Sequence, residues 1–175
     1  MKLQRSAILK ARQLVKEGFL ALDTETTGVR RDSEIVEIAV LDQNGATVFH
    51  SLVKPSKPIP AQVIAIHGIT NEMVQDAPTF SEIAIPLLEV LSNKNIVAHN
   101  AYFDRKMIEY EFSKYNFCLN AHWECTMLLS TERYKKWNKL NEAMAMFGLK
   151  SNGVAHRALS DAECCRQILI ALSEQ

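Results

Sequence analysis

Asp23 and Glu25 stand two residues apart at the end of the apolar run Leu20-Ala21-Leu22. Alternate residues of a strand face the same side, so the two carboxylates point together. At about 4 Å they repel by a few kcal/mol at an effective dielectric near 20. Folding gains nothing from that, whereas a bound hard cation turns the cost into binding. Three further residues have types suited to the same chemistry. Asp104 follows His99-Asn100-Ala101-Tyr102-Phe103, at the start of a predicted helix behind a buried strand. Asp161 lies between Ala158 and Cys165 of the apolar stripe of the last predicted helix. That brings it close to the core-facing side, a costly place for a free carboxylate. His156 does not share a helical face with Asp161. Gly153 nearby puts it on the loop leading in, where a His beside a metal site can serve as general base.

The elements that must carry these groups follow from periodicity and turn chemistry. Residues 6–16 read as a helix, with Ile8, Ala11, Leu14 and Val15 on one face and Gly18 closing it. Strands are predicted at 19–25, 35–41 and 47–53, and Asn44-Gly45 joins the last two as an antiparallel hairpin. Pro55, Pro58 and Pro60 impose an extended connection, and 61–66 reads as a short helix. Thr79-Phe80-Ser81-Glu82 fits a capping box ahead of a helix that buries Ile83, Ala84, Leu87, Leu88 and Leu91, with Pro86 a candidate kink. A short strand at 95–99 leads to a helix capped by Asn100 and running to about Lys114. A strand at 122–125 and a helix from Thr126 follow. Leu140, Ala143, Met144 and Phe147 form a helical stripe closed by Gly148. After a loop at 151–156, the last helix buries Ala158, Ala162, Cys165, Leu169 and Leu172. Strands in a meander, then strands alternating with helices, predict an α/β domain with a mixed sheet covered by helices.

Composition narrows the class. The chain has 175 residues, 47% of them hydrophobic, with 20 basic and 20 acidic side chains. One domain of this size buries a full core. Neutral charge and high aliphatic content exclude a disordered chain or a strongly basic nucleic-acid coat protein. Cys118, Cys125, Cys164 and Cys165 show no metal-ligand spacing and read as reduced thiols. The amino-terminal residues lack the apolar run of a signal peptide, and no segment is long enough to span a membrane, so a cytoplasmic location is expected.

Four words in order carry a family resemblance: Leu-Asp-Thr-Glu-Thr-Thr-Gly (22–28), Ile-His-Gly-Ile-Thr (66–70), Val-Ala-His-Asn-Ala-Tyr-Phe-Asp (97–104) and His-Arg-Ala-Leu-Ser-Asp-Ala (156–162). Together they resemble the DEDDh exonucleases, relatives of the epsilon proofreading subunit of bacterial DNA polymerase III, exonuclease X and RNase T. The similarity covers about residues 17–173. The sister subfamily that uses Tyr would carry it where Arg157 stands, so the His subfamily is the better match. The resemblance implies an RNase H-like fold with a five-stranded mixed sheet flanked by helices, and an exonuclease domain at 17–175 behind a helical extension at 1–16. It implies a 3′-to-5′ exonuclease that releases nucleoside 5′-monophosphates with two Mg²⁺ or Mn²⁺ ions, roughly 3.5–4 Å apart. Asp23, Glu25 and Asp161 are assigned to one ion, with Asp23 bridging to the second and Asp104 holding that one. His156 is assigned as general base. By the same resemblance Thr24, Thr26, Gln62, His67 and Asn100 lie near the terminal nucleotide, and Ile69 wedges against the last base.

The expected partner is a nucleic acid 3′ end, DNA ahead of RNA, with replication or repair as the setting and a DNA polymerase as a candidate associate. The absence of a long tail after the last helix argues weakly for an independent enzyme. An exoribonuclease that trims RNA keeps the same chemistry, and 2′-hydroxyl contacts separate the two. A silent nucleic-acid-binding module should have lost an acid; all four acids and His156 are present. Arg133-Tyr134-Lys135-Lys136-Trp137-Asn138-Lys139 packs four basic and two aromatic residues into seven positions. It reads either as a solvated helix end or as a single-strand contact.

Overall fold

The computed structural model describes residues 2–30, 32–151 and 153–175, and for residues 2–4 the backbone alone. Position 152 of the predicted 151–156 loop therefore lies outside the described residues. The strands are β1 (Leu20–Thr26), β2 (Ile35–Asp42), β3 (Thr47–Leu52), β4 (Asn95–Ala98) and β5 (His122–Cys125). The helices are α1 (Lys2–Glu17), α2 (Ala61–His67), α3 (Asn71–Val74), α4 (Phe80–Leu91), α5 (Ala101–Ser113), α6 (Thr126–Tyr134), α7 (Leu140–Met146) and α8 (Ala158–Ser173).

The sheet has the order β3-β2-β1-β4-β5. The β1–β2 and β2–β3 pairs are antiparallel; β1–β4 and β4–β5 are parallel. This is the mixed five-stranded sheet of an RNase H-like fold. The β2–β3 turn is wider than a two-residue hairpin. Asp42 Oδ1 accepts the N–H groups of Asn44 and Ala46 at 2.8 and 2.9 Å, and Gly45 takes a φ of +89°.

One sheet face packs on α4 and α5. There Leu22, Ile38, Val40 and Ile96 meet Leu87, Leu91, Ile108 and Phe112, all without solvent exposure. The other face packs on α1, α6 and α8, with Ala21 and Val97 against Ala7, Ala11, Leu14, Leu129, Cys165 and Leu169. All four cysteines are free thiols, Cys118 alone exposed.

Two local expectations change. Helix α4 runs unbroken through Pro86, which lies on its exposed face. Its amino-terminal turn is locked by Glu82 Oε2, which accepts the Thr79 N–H at 2.7 Å. Asn100 sits at the amino-terminal boundary of α5 in the left-handed region, φ +70°, and its side chain makes no capping bond. It turns the chain sharply from β4 into α5 instead. That turn is what sets Asp104 beside β1.

Candidate active site

The strand alternation of β1 divides its last residues between two faces. Asp23 and Glu25 continue the side of Ala21, toward α8, while Thr24 faces α5 with Leu22. Donor atoms of Glu25, His156 and Asp161 lie within 4.8 Å of one another. Asp161 Oδ2 accepts the His156 backbone N–H at 3.2 Å, folding the loop over the first turn of α8. His156 holds a φ of +58°, a left-handed conformation that His adopts more readily than most side chains. Asp104 is 2% exposed, and its Oδ1 accepts both the N–H and the hydroxyl of Thr24, at 3.0 and 2.8 Å. Those two bonds pin the start of α5 to β1 next to Asp23.

Four acids thus converge, Asp23 feeling the charges of Asp104, Asp161 and Glu25. Burial, followed by repulsion from Asp104, Asp161 and Glu25, drives Asp23 well above the usual carboxylate range. Burial and the charges of Asp161 and Glu37 push Glu25 up to about 8. Burial raises Asp104 to about 7, against the lowering effect of the Thr24 bonds. Asp161 is raised by burial too, partly offset by His156. Crowded carboxylates pushed toward their protonated form are what a divalent-cation site looks like to its own side chains. Glu25, His156 and Asp161 form the candidate metal cluster, and their carboxylate oxygens fit a hard divalent cation.

A fifth acid escaped the sequence reading. Glu37 is wholly buried and pairs with Glu25 across the β1–β2 register. Arg157 donates to it twice, Nε to Oε2 at 2.9 Å and Nη2 to Oε1 at 2.8 Å. The Ala158 N–H adds a bond at 3.0 Å, and His50 Nε2 lies 3.0 Å from Oε1. Burial pushes this carboxyl up, but the bonds from Arg157, His50 and Ala158 outweigh it and hold it below its ordinary value. Glu37 is therefore an anchor. It ties β2 to the residue after His156 and to the helix that carries Asp161. The only signal in the sequence is a charged residue inside Ile35-Val36-Glu37-Ile38-Ala39-Val40, which a buried strand tolerates only when paired.

The residues expected near a terminal nucleotide separate by burial. Gln62 and Asn100 are exposed. Thr24 and Thr26 are buried, the first on Asp104 and the second donating to the Gly28 carbonyl at 2.6 Å. His67 is 4% exposed, and its Nδ1 accepts the Ile69 N–H at 3.0 Å. Ile69 is fully buried against Val36, Ile59 and Val74, so it packs the core here and presents no edge to a base. Three residues after β1 in the chain, Val29 is exposed, at 83%.

Comparison with known proteins places the chain in a family. The profile of the RNase T-type exonuclease family, described as "Exonuclease", matches residues 20–169. The chain is 39% identical over 180 residues to the uncharacterized exonuclease CP81 of Escherichia phage 186, covering 94% of this chain and 93% of that one. It is 31% identical over 170 residues to DNA polymerase III subunit epsilon of Pasteurella multocida, covering 88% of this chain and 67% of the subunit. Among solved structures, exonuclease X in complex with 5′ overhanging duplex DNA superposes with a TM-score of 0.72 at 31% identity, covering 89% of this chain and 91% of that one. A 3′-exonuclease solved on a histone mRNA stem-loop shares the fold, with a TM-score of 0.74 at 16% identity over 95% of this chain and 70% of that one. The chain belongs to the exonuclease family, as a DEDDh-type hydrolytic nuclease acting on nucleic acid 3′ ends.

Proposed function

We propose that this protein removes nucleotides from a polynucleotide 3′ end by hydrolysing the terminal phosphodiester, with residues 17–175 as the catalytic unit and α1 as an extension packed onto it. The observation that carries the reading is the convergence of Glu25, His156 and Asp161 at the end of β1. Asp23, Glu25 and Asp161 would hold one divalent ion, and Asp23 and Asp104 a second. Ions bound there neutralise the phosphodiester charge and the carboxylates around it, so that a nucleophile can approach. His156 takes a proton from the attacking water. The water oxygen bonds to phosphorus, the bond to the 3′-oxygen of the penultimate nucleotide breaks, and that oxygen leaves protonated. The products are a nucleoside 5′-monophosphate and a strand one nucleotide shorter. Glu37 and Arg157 position His156 without touching the reacting atoms.

The carboxylates address a phosphodiester, which DNA and RNA share, and the substrate assay carries both. DNA is supported by relatives at 31% identity, a DNA polymerase subunit and an exonuclease solved on duplex DNA. RNA is supported by the same fold in a 3′-exonuclease on an mRNA stem-loop, and neither polymer is ranked above the other. The test uses matched 5′-labelled single-stranded DNA and RNA with Mg²⁺ or Mn²⁺. A shortening ladder is expected that disappears with EDTA and in Asp23→Ala and Asp161→Ala. A ladder retained in either variant refutes the assignment, and the faster polymer names the substrate.

A further inference from the structure

The basic and aromatic run after α6 has no part in the chemistry above, yet it is held rigidly beside it. Lys135 closes α6 in the left-handed region at φ +60° and reverses the chain. The turn is clamped by Asn138, which has no solvent exposure. Its Oδ1 accepts from the Ser130 hydroxyl at 2.8 Å, and its Nδ2 donates to the Lys136 carbonyl at 2.9 Å. Its own carbonyl lies 3.3 Å from His99 Nε2. His99 follows the last residue of β4 and precedes Asn100, so the clamp fixes the turn to the β4–α5 connection that delivers Asp104.

With Asn138 inside, its neighbours are outside. Trp137 is 61% exposed, and Lys135, Lys136 and Lys139 are exposed as well. None of these three lysines makes an ion pair among the described residues. At the far end of the turn, Lys139 and Leu140 line a groove of about 380 Å³ that His156 and Asp161 also line. Lys139 therefore links the exposed lysines and indole of the turn to the groove at the candidate metal ligands. An exposed indole offers a face for stacking, and three lysines without ion-paired acids suit a chain of phosphates.

We propose that this turn is the track for single-stranded polynucleotide 5′ of the scissile bond, with Lys135, Lys136 and Lys139 on successive phosphates and Trp137 stacked on a base. The proposal rests on the reading of the acidic cluster as the place where the 3′ end is cut. A single strand fits better than a duplex because its bases are free to stack on the indole. Recognition of this kind reads charge and π-faces rather than sequence.

The test is binding without turnover, so that it stands apart from the hydrolysis assay. Fluorescein-labelled 12-nucleotide single-stranded DNA is titrated in EDTA by anisotropy over a series of salt concentrations. In Lys135→Ala/Lys136→Ala, Kd rises and the slope of log Kd against log salt falls by about 1.4, from about 0.7 per phosphate contact on a single strand. In Trp137→Ala, Kd rises about fivefold or more, Trp137→Phe stays close to the parent, and base-induced quenching of tryptophan emission is lost. Variants that match the parent in Kd, salt slope and quenching overturn the track, and so does equal affinity for a blunt duplex. If binding behaves as described while no polymer is shortened in the hydrolysis assay, the exonuclease reading fails, and with it the place of this turn 5′ of a scissile bond, leaving single-strand binding alone.

Discussion

Replacing Arg157 by Met tests whether the buried carboxylate behind the site is an anchor. The Glu37 side chain is 1% exposed, and Arg157 supplies two of its four polar contacts. Methionine keeps much of the apolar stem but leaves a buried charge with only the Ala158 N–H and His50 beside it. Breaking a fully buried pair from one side costs about 3–5 kcal/mol. Arg157 is one-third exposed, at 33%, and two contacts survive, so the cost falls at or just below the bottom of that range. We expect a loss of about 2–3 kcal/mol, which for a chain of this length lowers Tm by about 4–12 °C. The assay is thermal and urea unfolding in EDTA near neutral pH, with the double variant Glu37→Gln/Arg157→Met alongside. Glutamine retains an oxygen for Ala158 and removes the charge, so the double variant should recover part of the loss. A single variant within about 0.5 kcal/mol of the parent, or a double variant no more stable than the single one, refutes the buried-charge reasoning.

The acidic cluster sets the pH dependence of metal-free stability. Glu25 at about 8 and Asp104 at about 7 are raised, as are Asp23 and Asp161, so between the unfolded carboxylate range and about pH 8 the folded chain holds protons that the unfolded chain has released. Stability then falls as pH rises through that window. Glu37 is shifted the other way, and its contribution is lost only in acid, below that window. Above the range in which the burial-lowered His67 and His99 act the other way, differential scanning calorimetry in EDTA should give a lower Tm at pH 8.5 than at pH 7. Mn²⁺ should restore more at the higher pH, and a Tm that rises with pH rejects the account. Thr24→Val removes the hydroxyl bond to Asp104 and leaves the backbone one. It should cost about 1.5–3 kcal/mol of stability if Asp104 is charged, and weaken Mn²⁺ binding by about tenfold, read by calorimetric titration. Unchanged Mn²⁺ affinity would show that the α5 pin does not orient the ligand.

Most of the architecture was legible because it rests on local signals. The alternation in Leu20–Thr26, the glycines that close α1 and α7, and the apolar stripe of α8 are readable within one element, and the boundaries move by a few residues at most. Helix α3 was missed because its four residues are too few to show a helical period; Thr70, whose hydroxyl accepts the Met73 N–H at 3.4 Å, was its one signal. Pro86 misled because a proline inside a helix was weighed without knowing that it faces solvent. Asn100 misled because a residue type favoured at helix starts serves there through its backbone, at φ +70°.

The acids divide along the same line. Asp23 and Glu25 declare themselves through one strand's alternation. Glu37 acquires its meaning only when the β1–β2 register sets it opposite Glu25 and when Arg157, 120 residues further along the chain, arrives to neutralise it. Without Arg157, Glu37 would be one more repelled carboxylate beside Glu25, adding to the charge that a cation must offset. With Arg157, it is the one acid of the group held in its charged form in the absence of metal. The pair separates two kinds of buried acid lying side by side on one face of the sheet. One kind has a permanent partner and fixes the loop of His156. The other has no paired cation at hydrogen-bond distance among the described residues, and that is the ground for proposing a divalent ion beside it.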